Sequence, residues 1–111
     1  MRLAGIEKGG FYPYPPGMAE ATASWLFPAP DGGRGRVLDP CAGEGEIAAA
    51  MGRLLNCETW GCELFPDRAE KAVERMDKCF ATAWESCHLT DESVTVLWLN
   101  PPYGAPRSIE L

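Results

Sequence analysis

The sequence predicts an α/β fold with a parallel sheet of about four strands and helices on both faces. Strand-like runs alternate with helical patterns along the chain, and glycine or proline separates them. The strand-like runs are residues 36–39, 58–63, 79–84 and 94–99. Parallel strands of one sheet are joined by right-handed crossovers, so the intervening helices pack against the sheet. We expect one domain over residues 1–111, because the composition is that of an ordinary globular protein.

The N-terminal part is expected to be extended and to lead into a short helix. Glycine and proline punctuate residues 9–17, whereas residues 18–26 place apolar side chains at helical spacing. Residues 27–35 hold two prolines and three glycines and are predicted to form a loop before the first strand.

Two helices are predicted between the first three strands. The first covers residues 46–56, and the second begins at Pro66, because proline suits the first turn of a helix. The second helix is expected to end near Lys78, and the strand that follows, residues 79–84, has the weakest pattern. We expect the large aromatic side chains of this region to lie in the core, namely Trp25, Trp60, Phe80 and Trp84.

The most distinctive motif follows the run 94–99 and reads Asn100-Pro101-Pro102-Tyr103. Two consecutive prolines cannot extend a central strand, because they lack backbone N–H groups. The strand therefore ends near Asn100, and the motif lies at the carboxyl edge of the sheet, where open α/β sheets bind their ligands. A plain strand-to-loop turn is the alternative, but the four residues together favour a functional site.

A second motif follows the first strand and has the features of a cofactor-binding loop. It reads Asp39-Pro40-Cys41-Ala42-Gly43-Glu44-Gly45. Glycines let a ligand approach the backbone, and the N-terminus of the next helix exposes free N–H groups. Glu63 ends the second strand, where an acid can accept both ribose hydroxyls of an adenosine.

Two cofactor classes compete for this loop. The spacing Gly43-x-Gly45-x-x-Ala48 fits the dinucleotide pattern, but acids at 39, 44 and 46 would repel a doubly anionic pyrophosphate. S-adenosyl-L-methionine has no phosphate and carries a sulfonium and an ammonium, so acidic side chains suit it. Asp39 is expected to face its amino-acid part and Glu63 its ribose. Glu44 and Glu46 are explained by the helix macrodipole alone.

The composition limits the partners. A net charge of −6 disfavours tight nucleic-acid binding by this chain alone, although a nucleic acid brought by another basic segment remains an expected substrate. No apolar stretch reaches the roughly 18 residues of a membrane span, and the N-terminus lacks a signal peptide, so a cytoplasmic location without membrane contact is expected. The five cysteines have no zinc-site spacing and are expected to be reduced thiols without a metal.

Together these motifs resemble the class I S-adenosylmethionine-dependent methyltransferases, in particular the amino-methylating branch with an Asn-Pro-Pro-Tyr motif. That branch includes DNA adenine-N6 methyltransferases and relatives that act on rRNA or on protein glutamine. Residues 39–45 resemble its first cofactor motif, and Glu63 matches its ribose-binding acid. Residues 11–16 resemble the segment over the methionine end of the cofactor, which puts Tyr14 and Pro15 beside it. The family's third strand commonly ends in an adenine-contacting Asp, and Thr82 or Glu85 is the nearest counterpart here.

The resemblance implies S-adenosylmethionine-dependent methylation of an exocyclic amine, with adenine N6 in DNA as the first expectation. Asn100, which also borders the cofactor, and the Pro101 carbonyl would accept the N–H groups of the amine. Pro102 would restrain the backbone, and Tyr103 would stack on the target ring. Two alternatives stay open: a non-catalytic module that binds S-adenosylmethionine or a partner, and a small dinucleotide-binding domain.

The resemblance also implies a Rossmann-like sheet in the order 3-2-1-4, with three further strands and a target-binding region after Tyr103. The chain is therefore expected to be the N-terminal part of the full fold. An apolar edge strand is an aggregation hazard. We expect residues 94–99 to be covered by a second copy, by a partner chain or by a C-terminal part.

Overall fold

The computed structural model describes residues 14–31, 33 and 35–101, and a four-stranded parallel sheet lies at its centre. The strands are β1 (Gly35–Asp39), β2 (Cys57–Cys62), β3 (Lys78–Phe80) and β4 (Val96–Leu97). Their order in the sheet is β3-β2-β1-β4, and every neighbouring pair is parallel. The predicted strand order is confirmed.

Three α-helices accompany the sheet in the described residues: α1 (Met18–Ala23), α2 (Glu46–Leu55) and α3 (Pro66–Arg75). Pro66 occupies the first turn of α3, as predicted. This helix ends three residues before the predicted Lys78, because Met76 adopts an extended backbone. The Asp77 carboxylate then accepts the Thr59 N–H at 2.8 Å, and the Asp77 N–H donates to the Thr59 hydroxyl at 2.8 Å. These bonds tie the end of α3 to β2 and direct the chain into β3.

The α-helices pack on one face of the sheet. Val37 pairs with Thr59 and Asp39 with Gly61, so these residues point to the same face. Val37 packs there in a cluster with residues of α1 and α2, namely Ala19, Ala23, Ile47, Met51 and Leu55. The end of α3 reaches the same face through Met76, which packs with Ala42, Ala48 and Ala72.

The opposite face carries no α-helix in the described part of the chain. The crossovers from β1 to β2 and from β2 to β3 step in one direction, so their right-handed geometry puts α2 and α3 on the same side. The direction reverses only between β3 and β4, and that connection holds a single 3-10 turn, Trp84–Ser86. Helices were predicted on both faces of the sheet. The described α-helices cover one face, and the 3-10 turn lies on the other.

The expectation that the large aromatic side chains fill the core is wrong for three of the four. Trp25 lies past the end of α1 and is 88% exposed, and Phe80 and Trp84 are about half exposed on the side without a helix. Trp60 is partly buried, and its ring contacts the Arg36 guanidinium at 4.0 Å and the Lys78 ammonium at 4.7 Å.

Strand β4 is shorter than the predicted run 94–99. Only Val96 and Leu97 pair with β1, and two further bonds, Thr95 N–H to Arg36 and Trp98 N–H to Leu38, extend the contact. In the described sheet β4 is an edge, and Leu97 and Leu99 are 54% and 61% exposed. Cover of this strand by another copy, a partner or a C-terminal part stays a prediction. No described helix is long and apolar enough to cross a membrane.

Gly52, in the middle of α2, gives a stability prediction with an unusual sign. Alanine in place of glycine inside a helix normally stabilises by about 1 kcal/mol. Here a Cβ would clash with the Thr59 methyl and lie 3.0 Å from the Cys57 carbonyl, and Asp77 holds the Thr59 side chain in place. We expect Gly52→Ala to lower the unfolding free energy by about 1–3 kcal/mol in denaturant titration.

Adding Thr59→Ser to the Gly52→Ala variant tests the origin of the loss. It removes the clashing methyl but keeps the hydroxyl that bonds Asp77. The double variant is expected to recover part of the loss. A Gly52→Ala protein as stable as the wild type would contradict this account of the packing.

Candidate functional site

The carboxyl edge of the sheet brings together most of the residues that the sequence singled out. Leu38 pairs with Leu97, and the Trp98 N–H donates to the Leu38 carbonyl at 2.9 Å. Because β1 and β4 are parallel, Asp39 and Asn100 both lie where these strands end. Glu63 follows β2 and Thr82 follows β3 at the same edge.

The loop after β1 depends on its glycines. Gly43 and Gly45 have φ values of 60° and 82°, a left-handed conformation that side-chain-bearing residues rarely adopt. A Cβ on Gly45 would also lie 3.0 Å from the Ala72 backbone of α3. The loop is anchored by the Ala42 N–H, which donates to the Cys62 carbonyl at 2.9 Å. Gly45 then caps α2 without a side-chain bond, so a ligand can approach the first N–H groups of this helix.

Glu63 links this loop to α3. Its carboxylate accepts the Gly43 N–H at 2.7 Å and the Phe65 N–H at 2.9 Å, and Arg68 forms an ion pair with it at 3.4 Å. The side chain is buried, which holds it in one orientation. Oε2 accepts the bonds of Phe65 and Arg68, whereas Oε1 accepts the Gly43 N–H and can accept one further hydroxyl donor.

Asp39 is the most deeply buried acid of the described residues, with 1% of its surface exposed. Burial raises the pKa of Asp39 from 3.8 to about 7, the Cys41 N–H at 3.1 Å lowers it, and the negative charge of Glu63 raises it further. Near neutral pH the Asp39 carboxyl is therefore protonated in some molecules and ionised in the others. A nearby cation would favour the ionised form.

Asn100 is held by Tyr14, which Trp98 also contacts. Its Nδ2 donates to the Tyr14 hydroxyl at 2.8 Å, and the indole Nε1 of Trp98 donates to the same oxygen at 2.6 Å. The Tyr14 and Trp98 rings meet edge to face with centroids 5.5 Å apart. In this arrangement Tyr14 engages the nitrogen of the Asn100 carboxamide, and Oδ1 is left for another donor.

The remaining predicted residues divide into three groups. Pro102 and Tyr103 lie outside the described residues, and Pro101, half-buried, is the last described one. Thr82 and Glu85 were predicted within or next to a strand, but β3 ends at Phe80 and both lie in the connection that follows. Pro15 is exposed, and its carbonyl accepts the Met18 N–H at 3.3 Å.

An apolar cavity of about 500 Å³ opens on the face without α-helices. Its walls include Leu38, Trp60, Phe80, Trp84 and Leu89, and it shares Pro40 and Thr82 with the predicted cofactor residues. The Trp60 indole N–H is buried and has no hydrogen-bond partner in the described part of the chain. The cavity therefore adjoins the carboxyl edge but lies mainly beside the sheet.

The cysteines remain free thiols. Cys62 and Cys87 bring their sulfur atoms within 2.7 Å, and burial raises the pKa of Cys62 to about 12 and that of Cys79 to about 11. Among residues 14–31, 33 and 35–101 no group of His, Cys, Asp and Glu side chains could hold a metal ion.

Two residues that support the site, Trp98 and Arg68, are not among those predicted from the sequence. Trp98 stands two positions before Asn100, and this spacing alone puts both on the same side of a strand. Arg68 pairs with Glu63 across the start of α3, and no sequence pattern indicates that contact.

A family model described as an uncharacterised methyltransferase family (DUF6094) matches residues 2–107. No curated protein matches the chain. Among solved structures, an RNA methyltransferase from Salinibacter ruber in complex with S-adenosyl-L-homocysteine is similar, with a TM-score of 0.59 and 16% identity. A SAM-dependent methyltransferase from Thiobacillus denitrificans, in complex with the same molecule, has a TM-score of 0.62 and 22% identity. These likenesses establish the Rossmann-like fold.

The matches cover 78% and 87% of this chain, but 58% and 42% of the Salinibacter and Thiobacillus proteins. The chain thus spans about half the length of the solved structures that it matches.

Proposed function

The chain belongs to this uncharacterised methyltransferase family, and we propose that it binds S-adenosyl-L-methionine and directs its methyl group to an exocyclic amine. One observation carries the proposal: Asp39, Glu63 and Asn100 lie at the same edge of the sheet, at the ends of three neighbouring strands. Acids suited to a cationic cofactor and an amide suited to an amine acceptor therefore border one site.

The residues of the first loop fit S-adenosylmethionine better than a dinucleotide. We infer that Asp39 faces the ammonium of the cofactor, because an ionised carboxylate in a buried position attracts a cation strongly. Glu63 accepts a ribose hydroxyl at the position that the Gly43 bond leaves open on Oε1. The backbone of the intervening loop lies against the cofactor, at Pro40, Cys41, Ala42, Gly43 and Gly45, and Pro15 and Thr82 border its two ends.

The proposed catalytic role of the second motif is to activate a weak nucleophile. The lone pair of a conjugated amine is delocalised into its ring, and acceptors for its N–H hydrogens favour the positive charge that develops on nitrogen. Asn100 Oδ1 and the Pro101 carbonyl are those acceptors in our proposal. Pro102 restrains the backbone and Tyr103 stacks on the ring. The bound cofactor supplies an electrophilic methyl group, and the chain contributes mainly position and charge.

For the acceptor we propose adenine N6 in DNA, from the Asn-Pro-Pro-Tyr motif. A base within a duplex must be flipped out to reach such a site. The Salinibacter protein is described as an RNA methyltransferase, which supports testing RNA beside DNA. The net charge of −6 supports delivery of the nucleic acid by a basic segment other than this chain.

A non-catalytic module that binds S-adenosylmethionine is the second candidate. The chain spans about half the length of two solved methyltransferases. Transfer of a labelled methyl group to DNA and RNA oligonucleotides separates the two candidates. Cofactor binding without transfer to any acceptor would favour the module.

Calorimetry with S-adenosylhomocysteine and with NAD tests the cofactor. We expect saturable binding of the former and none of NAD, because the acids of the loop repel a pyrophosphate. Glu63→Gln is expected to weaken S-adenosylhomocysteine binding about tenfold or more, since it removes a charged acceptor. The matched control is Glu58→Gln, which changes the same charge on β2 away from the carboxyl edge. NAD binding tighter than that of S-adenosylhomocysteine would overturn the assignment.

A further inference from the structure

The Tyr14 hydroxyl oxygen accepts two hydrogen bonds, from Trp98 at 2.6 Å and from Asn100 at 2.8 Å. We propose that Tyr14 is a positioning residue that fixes the orientation of the Asn100 carboxamide. This inference rests on the proposed function and deepens it, because it assigns to Tyr14 a role toward the amine acceptor. The sequence had placed Tyr14 beside the cofactor.

The orientation matters because a carboxamide has two chemically opposite ends. Its oxygen accepts hydrogen bonds and its NH2 group donates them, and a half-turn of the side chain exchanges the two. An acceptor amine presents N–H hydrogens, so only the Oδ1 end can bind it. A carboxamide in the opposite orientation would place its NH2 donors against the N–H donors of the amine.

Trp98 holds the Tyr14 oxygen in place. An indole N–H can only donate, so the Tyr14 oxygen accepts its bond, and the Asn100 NH2 group binds the same oxygen. Bound there, Nδ2 directs Oδ1 away from Tyr14. The bond from Nδ2 to Tyr14 is therefore the contact that sets the carboxamide orientation required by the amine.

Packing against the core anchors Tyr14, so it can hold the exposed Asn100 side chain. Its ring meets the Trp98 ring edge to face at 5.5 Å, and both pack against the buried cluster under α1 and α2. Asn100 itself is exposed, so its carboxamide has few other constraints on rotation. A contact spanning 86 residues of sequence therefore connects the N-terminal segment to the motif after β4.

The decisive variant is Tyr14→Phe, which keeps the ring on Trp98 and removes only the oxygen. We expect the kcat for methyl transfer to fall about 10- to 100-fold, by analogy with the loss seen when a hydrogen bond that orients a metal ligand is removed. The affinity for S-adenosylhomocysteine and the melting temperature are expected to change little. Trp98→Phe, which removes one donor but leaves the Tyr14 oxygen for Asn100, should cause a smaller loss of kcat.

Nuclear magnetic resonance gives a readout that needs no activity. In Tyr14→Phe the side-chain NH2 resonances of Asn100 are expected to shift and their hydrogen exchange to accelerate. An unchanged kcat, or a loss confined to cofactor affinity, would overturn the proposal. If the wild type transfers no methyl group to any acceptor, the proposed function fails by itself. In that case the Asn100 resonances decide, and unchanged resonances in Tyr14→Phe overturn the positioning role.

Discussion

Replacing Asn100 by Ala is expected to lower the methyl-transfer rate at least about a hundredfold, the loss typical for removal of one preorganised group that stabilises developing charge. The side chain sits at the end of β4, and Tyr14 binds its nitrogen while Oδ1 is left for the amine. Because the carboxamide acts on the acceptor, S-adenosylhomocysteine should bind the variant within about threefold of its wild-type affinity, since no strong cofactor contact is removed.

The measurement combines single-turnover kinetics with calorimetry on the same preparation. Asn56→Ala is the matched control, because it removes a carboxamide at the end of α2, where Nδ2 donates to the Ala29 carbonyl at 3.2 Å. That variant is expected to lose stability and to keep its turnover. Equal losses of turnover and cofactor affinity in Asn100→Ala would contradict the role assigned to the carboxamide.

Asp39→Asn is expected to stabilise the fold and to weaken cofactor binding. With a folded-state pKa of about 7 against 3.8, Asp39 binds a proton more readily in the folded protein than in the unfolded chain. Its contribution to stability is therefore full below pH 4, is lost as the pH rises to about 7, and stays lost above it. At pH 8 the neutral amide avoids this penalty, and we expect the unfolding free energy to rise by about 2–4 kcal/mol.

The same titration predicts the pH dependence of cofactor binding. The wild-type affinity for S-adenosylhomocysteine should fall by up to about tenfold for each pH unit below 7, because the carboxyl must lose its proton to face the ammonium. The affinity of Asp39→Asn should be weaker at pH 8 and nearly independent of pH in this range. Glu46→Gln, a charge change at the exposed start of α2, is the control: it should lower stability only slightly, through the helix dipole and the Arg75 pair, and leave the pH dependence of stability and of cofactor affinity unchanged.

Denaturant titration and calorimetry between pH 5 and pH 8 check both effects of Asp39→Asn. A variant that is less stable than the wild type at pH 8 would contradict the cost assigned to the buried charge. A wild-type affinity that does not change with pH would contradict the placement of the ammonium at Asp39.

The sequence determined the elements and the edge at which the site forms. Three strands lead into a residue that the pattern itself supplies: Asp39 ends β1 before a glycine turn, Glu63 follows β2 before Pro66, and Asn100 follows β4 before two prolines. These are local constraints of backbone chemistry, so they can be read without knowing which residues meet in space. Parallel strands then bring all three ends to one edge.

Local patterns predicted strand lengths and aromatic burial less well, because these depend on packing against other elements. The pattern of residues 79–84 and 94–99 predicted longer strands than β3 and β4, because pairing extends only as far as a neighbouring strand accompanies it. The aromatic residues Phe80 and Trp84 were expected in the core, but they lie on the face that carries no described α-helix.

The sequence by itself thus determined the alternation of strands and helices, the glycine loop and the acids and amide at the carboxyl edge, and the family resemblance supplied the strand order. Only the tertiary structure decided that Tyr14 binds Asn100, that Arg68 pairs with Glu63, and that Asp39 is buried enough to hold a proton near pH 7. The physical reason is that hydrogen-bond partners distant in sequence, and the removal of water around a charge, depend on how the elements pack together. Neither is encoded in the spacing of neighbouring residues.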